Sequence, residues 1–354
     1  MSPHRLATLF LALLPAATAA AQTTVSVPCD RDTTLYASSN TRSNGSGASV
    51  FVGVTSQGSP RRALVRFAIG SSIPAGAKIL AASLQMNVVQ AVAFLPVTAN
   101  VHRATQGWGE GSSNSGGPAG GQGAPAQNGD ATWTQRIVPG TQWTTPGGDF
   151  VATPSCTLSM PNGGLAIGNS TDGAVADVQF WLNNPAQNYG WLLKAANESQ
   201  TSTAHRLDSR NGGAVPPTLV VTYMLPGQSG TWGTGCPVGA GTMATAFAGT
   251  PTGGASIQIT HGNTVPSSLG ANYFSLGLDT VGAPLGLPNC TVYLPLSQPL
   301  IPGDVFVTSA SGTAASPFQV PSGFPGYLVT CQSAVLANNP LGFLLGNAAL
   351  IVLQ

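Results

Sequence analysis

Apolar and polar positions alternate along most of this chain with the two-residue period of β-strands. Residues 61–69 are the clearest case. Ala63, Val65, Phe67 and Ile69 share one face, and Arg62, Leu64 and Arg66 share the other. Residues 78–89 repeat the alternation after a turn at Ile73-Pro74-Ala75-Gly76-Ala77. Shorter stretches at 24–27, 33–36, 49–54, 99–104, 190–195, 204–208 and 218–223 read as further strands. One stretch, 175–184, has helical character, with Asp172 as the expected cap and Pro185 as the stop. After a Gly/Ser-rich segment at 225–235, strands are expected at 243–248, 256–260, 273–278, 291–294, 304–308 and 326–336. The apolar stretch 341–353 completes them as one or two strands.

The N-terminus breaks this pattern. Residues 1–5 are basic, 6–17 are continuously apolar, and Ala19 and Ala21 follow at signal-peptidase spacing. This predicts a secretory signal over 1–21, with the mature chain starting near Gln22. The expected organisation is an all-β protein of two β-sandwich domains, at 22–224 and 236–354, with a linker at 225–235. The first is expected to be jelly-roll-like and the second Ig-like.

Composition supports a secreted β-protein. Charged residues are 6% of the chain, with 45 Gly and 28 Pro, so turns are frequent and ion pairs few. Every Lys and Arg lies at or before Arg210, and beyond it only Asp279 and Asp304 carry charge. Such a chain has no electrostatic footprint for nucleic acid, and no apolar run is long enough for a spanning helix, so no membrane insertion is expected. There are five cysteines and no CxxC motif. Disulfides are expected between Cys236 and Cys290 and between Cys29 and Cys156, each within one domain, although spacing does not fix connectivity.

An ordered series of motifs runs through the first part: Asp32-Thr-Thr-Leu-Tyr36, Asn44-Gly-Ser46, Arg61-Arg-Ala-Leu-Val-Arg-Phe67, Gly107-Trp-Gly-Glu-Gly111, Asp130-Ala-Thr-Trp133, Asn188-Tyr-Gly-Trp-Leu-Leu193 and Arg206-Leu-Asp-Ser-Arg210. With these, residues 24–224 resemble the DNRLRE-domain family, classed among carbohydrate-binding modules. The resemblance implies a secreted jelly roll, often attached to polysaccharide-degrading enzymes or surface proteins. Where that family usually has an acidic residue after its Ser-Arg pair, this chain has Asn211. The second part resembles a C-terminal module of secreted bacterial proteins through Gly235-Cys236-Pro237 and Asn338-Asn-Pro-Leu-Gly-Phe343. That likeness implies no chemistry.

Two patches are candidates for a ligand, expected to be a polysaccharide or cell-surface glycan. Trp108, Trp133 and Trp143 flank a loop at 107–129 holding nine glycines, beside Glu110, Asp130 and Arg136. Aromatic faces for stacking and Arg or carboxylate groups for hydroxyls make a sugar-site composition. The competing reading is an Ω-loop closed by its own aromatics. The second patch is Arg62, Arg66, Arg206, Asp208 and Arg210, which would line one sheet face if their strands were neighbours. Such a platform suits a uronic or sulfated sugar; internal ion pairing is the alternative. No HExxH, GxSxG or P-loop motif occurs. Glu110 with Asp130 or Asp149 would have to serve as paired carboxylates for glycoside cleavage, so no enzyme activity is expected. No cofactor is expected. Structural calcium at Asp30 and Asp32, or at Asp172 and Asp177, is left open, since neither pair matches a calcium-loop pattern. The remaining rival is a structural or adhesive surface protein without a sugar site.

Overall fold

The computed structural model describes residues 22–91, 96–116, 121–212 and 214–354. The predicted signal segment lies outside the described residues, as does part of the Gly-rich loop. The chain is all-β, as its alternation predicts. The main elements of the first part are β1 (Thr23–Tyr36), β2 (Ser49–Val54), β3 (Pro60–Phe67), β4 (Lys78–Ala91), β5 (Val97–Arg103), β6 (Cys156–Met160), β7 (Gly164–Gly168), α1 (Asp172–Asn183), β8 (Trp191–Ala195), β9 (His205–Asp208) and β10 (Thr218–Met224). Their pairing closes on itself in the order β1-β10-β4-β7-β6-β5-β8-β3 and back to β1, an eight-strand ring; β2 and β9 link β3 to β4. Closure leaves no free sheet edge within the ring.

The face of β3 that carries Ala63, Val65 and Phe67 points inward. Ala63, Val65 and Phe67 are fully buried in the main core with Leu84, Met86, Val101 and Leu193. α1 packs into this core through Ala174, Val178, Trp181 and Leu182. Its Trp181 meets Trp191 of β8 edge-on, ring centroids 5.0 Å apart. Thr171, not Asp172, caps α1 by accepting the Ala174 N–H. Asp177 faces inward instead. It accepts Ser155 Oγ–H and Trp191 Nε1–H, the latter at 2.7 Å, and pairs with Arg103 at 3.1 Å.

The outer face of β3 is covered too. Leu64 and Leu192 of β8 form a second apolar cluster with Trp108 and Trp143 from the Gly-rich excursion. Gly45 supports that excursion. A Cβ there would lie 1.7 Å from the Glu110 carbonyl oxygen. Gly45→Ala is therefore expected to cost about 1–3 kcal/mol by overpacking, read as a lower midpoint in urea denaturation; an unchanged midpoint would show the loop can yield.

The second part has nine main strands: β11 (Ser229–Trp232), β12 (Ala244–Ala248), β13 (Ser256–Gly262), β14 (Leu269–Ser275), β15 (Ile301–Val307), β16 (Ala314–Gln319), β17 (Leu328–Leu336), β18 (Phe343–Leu345) and β19 (Ala348–Val352). One sheet runs β11-β19-β17-β14-β15, with β18 also on β17; the other runs β12-β13-β16. They share a core in which Phe247, Ile257 and Ile259 meet Val329, Cys331, Ala349 and Ile351.

The stretch read as a linker contains a strand: residues 229–232 pair with 348–351 at the end of the chain. Leu80 and Met224 of the first part pack in one cluster with Tyr293, Leu328 and Leu350 of the second. Of the expected disulfides, Cys236–Cys290 is present. Cys29 and Cys156 are instead free, buried thiols, as is Cys331. Cys29 Sγ donates to the Arg31 carbonyl at 3.1 Å, while Cys156 sits on β6, whose partners are β5 and β7. Among the described residues, no helix is long and apolar enough to cross a membrane.

Candidate functional site

In the described part of the Gly-rich excursion, the indole N–H groups and the charged side chains bond to nearby backbone. Trp108 and Trp143 are 4% and 5% exposed. Their indole N–H groups donate to the carbonyls of Tyr189 (2.8 Å) and Thr132 (2.9 Å). Trp133 is half-buried, with the Arg62 guanidinium 4.8 Å from its ring centroid. Asp130 is fully buried and accepts N–H bonds from Gln127 and Ser113. Arg136 donates to the Gly107 carbonyl at 2.7 Å. Asp149 accepts the N–H groups of Thr144 and Thr145. Charge-assisted bonds of this kind fix a loop, and here they tie Asp130, Arg136 and Asp149 to the backbone.

The arginine platform is not assembled. β2 lies between β3 and β9, so the strands carrying Arg62 and Arg66 are not neighbours of the strand carrying Arg206 and Asp208. Four of the five charged groups, Arg62, Arg66, Arg210 and Asp208, find a nearer partner. Arg62 forms a two-pronged pair with Glu198 at 2.8 and 2.7 Å. Arg66 does so with Asp30 at 3.1 and 2.5 Å, and Arg210 with Glu110 at 2.6 and 2.5 Å. Asp208 accepts from the Asn87 amide and the Val215 N–H. Arg206 Nε is buried with no partner among the described residues. Burial opposes ionisation of Glu198, yet Arg62 and Lys194 hold its carboxyl below the usual range.

One acidic group stands apart. Asp32, on β1, is fully buried; its Oδ2 accepts the Arg210 N–H at 2.7 Å, while Oδ1 has no partner among the described residues. Burial pushes its carboxyl up to about 7; hydrogen bonds from the Arg210 backbone and the Ser209 side chain oppose this, and Glu110 adds to it. Glu110 accepts the Asp32 N–H at 2.9 Å. Asp32, Glu110 and Arg210 thus tie the excursion to β1 and to the segment after β9. Among the described residues, no three His, Cys, Asp or Glu side chains gather as a metal-holding group.

What remains open to a ligand lies next to the predicted patch. A cleft of about 300 Å³ is lined by Arg31, Arg66, Trp108, Pro185, Asn188 and Tyr189. Arg31 has no side-chain hydrogen bond or ion pair among the described residues. Asn188 donates its amide to the Phe67 carbonyl at 2.7 Å, while its buried Oδ1 has no partner among the described residues. The cleft therefore combines an uncommitted cation with an aromatic side. Asn188 and Tyr189 belong to a motif visible in the sequence, but no spacing rule marks them. They join the cleft because the turn after α1 brings them beside the start of the excursion. Comparison with family models and with curated proteins gave no match.

Proposed function

We propose that this is a secreted, non-catalytic protein that binds an extracellular polysaccharide through its first part, with the sugar in the cleft beside Tyr189. The supporting observation is that cleft's lining: Arg31 for a carboxylate or sulfate, and the half-buried Tyr189 as the aromatic side. The motif series that resembles the DNRLRE-domain family points the same way. On this reading the first part is a jelly-roll-like module of that kind and the second an Ig-like companion. The internal pairing of Arg62, Arg66 and Arg210 favours a second reading, a structural or adhesive surface protein without a sugar site.

Affinity electrophoresis of the secreted chain in gels containing acidic and neutral polysaccharides separates the two. Retardation by an acidic polysaccharide is expected. Arg31→Ala should weaken it by about 1–3 kcal/mol, as for a charge-assisted bond, with an unchanged melting temperature. Trp133→Ala should instead lower stability by about 3 kcal/mol, as for an aromatic removed from a packed cluster, and leave retardation intact. A chain that no gel retards supports the structural reading.

A further inference from the structure

The second part carries an apolar groove of about 400 Å³ that nothing in the glycan reading uses. Its floor is the outer face of the larger sheet. There Ala271 of β14 sits in register between Val305 of β15 and Ala334 of β17. Two alanines at the centre of a Val- and Leu-rich face leave the space; larger residues would fill it. The opposite wall is the strap between β14 and β15, which contributes Leu294, Leu296 and Leu300.

The strap is fastened rather than loose. Cys290, at its middle, is bonded to Cys236. The Gln332 side chain, on the groove floor, accepts the Tyr293 N–H at 2.9 Å and donates to the carbonyls of Thr291 and Gly346, each at 2.8 Å. The groove is therefore preformed, which lowers the ordering cost of binding. With Gln332 committed, Tyr273 is the lining side chain that still offers a hydrogen-bonding group; it is 37% exposed, and its hydroxyl has no partner among the described residues.

We propose that this groove binds a neutral, elongated lipophilic molecule carrying one hydrogen-bonding group, such as a long-chain alcohol. Size, charge and shape each support the choice. The volume lies in the range of small-molecule pockets. No charged side chain lines it, so an ionised head group would be desolvated there without a partner. A second copy of the chain fits less well. The edge strand β15 carries Pro302 and Asp304, which blunt strand-to-strand pairing, and the strap makes the site a slot, not a flat face.

The test uses the full secreted chain and the neutral fluorescent probe N-phenyl-1-naphthylamine. Saturable binding at one probe per chain is expected. Dodecan-1-ol should displace the probe at least about tenfold better than dodecanoate or dodecylammonium, because only the charged pair meets the desolvation cost. Ala334→Leu, which fills the floor, and Val305→Arg, which charges a rim position that is 65% exposed, should each reduce probe affinity about tenfold or more. Val305→Arg alters a solvent-facing position and keeps the test usable if Ala334→Leu fails to fold. Equal displacement by the charged chains, or unchanged binding in Val305→Arg, would overturn the proposal. So would light scattering that shows a dimer unable to take up the probe.

Discussion

Removing the Cys236–Cys290 bond, as the double variant Cys236→Ala/Cys290→Ala, is expected to destabilise the second part by about 4 kcal/mol. The two cysteines are 54 positions apart, and in the chain-entropy account a cross-link of that span removes this much from the unfolded ensemble. Few other devices compensate. No ion pair falls beyond Arg210 among the described residues, so this part rests on apolar packing and backbone pairing. Both cysteines are essentially buried, in a cluster with Met243, Phe306, Val335 and Leu345, so alanine also leaves small cavities. Urea denaturation of the native and variant chains measures the difference. A loss below about 1 kcal/mol would mean that the unfolded chain already holds these segments together.

The parts of the fold legible in the sequence are those where one face meets the core and the other does not. In β3 the alternation sorts Ala63, Val65 and Phe67 from Arg62 and Arg66 correctly, because a sheet with distinct faces must show a period of two. The strands that close the ring were not legible. β6 (CTLSM) and β7 (GLAIG) are five residues each, and Leu165 and Ile167 of β7 are both 47% exposed, so apolar identity points the wrong way there. β11 was hidden for another reason. Its Ser-Gly-Thr-Trp sequence looks like a linker, and only its partner β19, over a hundred residues later, makes it a strand. The same limit governs the site. The tryptophans and arginines were visible as residues, but whether each faces solvent depends on partners such as Glu198, Asp30 and Glu110, which sequence spacing does not reveal.

Two buried groups should give the two parts of the molecule opposite responses to pH. Asp32 has its pKa raised from 3.8 to about 7, chiefly by burial. The folded state then holds a proton that the unfolded state releases, so this contribution to stability is complete below about pH 4 and is lost as pH rises through about 7. The shift corresponds to a loss of about 4 kcal/mol at most. His261, on β13, is the reverse case. Burial lowers its pKa from 6.5 to about 4. Its ring stacks on Phe306 with centroids 3.9 Å apart; among the described residues neither ring nitrogen has a partner, nor does the hydroxyl of Thr245, which lies directly opposite across the strands. Here the unfolded state takes up the proton first. Its contribution is complete above about pH 6.5 and is lost as pH falls toward 4, a change of about 3 kcal/mol. Asp32→Asn and His261→Phe remove each titration in turn. Stability differences from the native chain, measured by urea denaturation from pH 4 to 8, should grow with rising pH for Asp32→Asn and with falling pH for His261→Phe. The phenylalanine keeps the stack on Phe306 and buries no unpaired nitrogen, so at pH 4 it should exceed the native histidine in stability. Parallel, pH-independent differences would show that neither group's pKa differs between the folded and unfolded states.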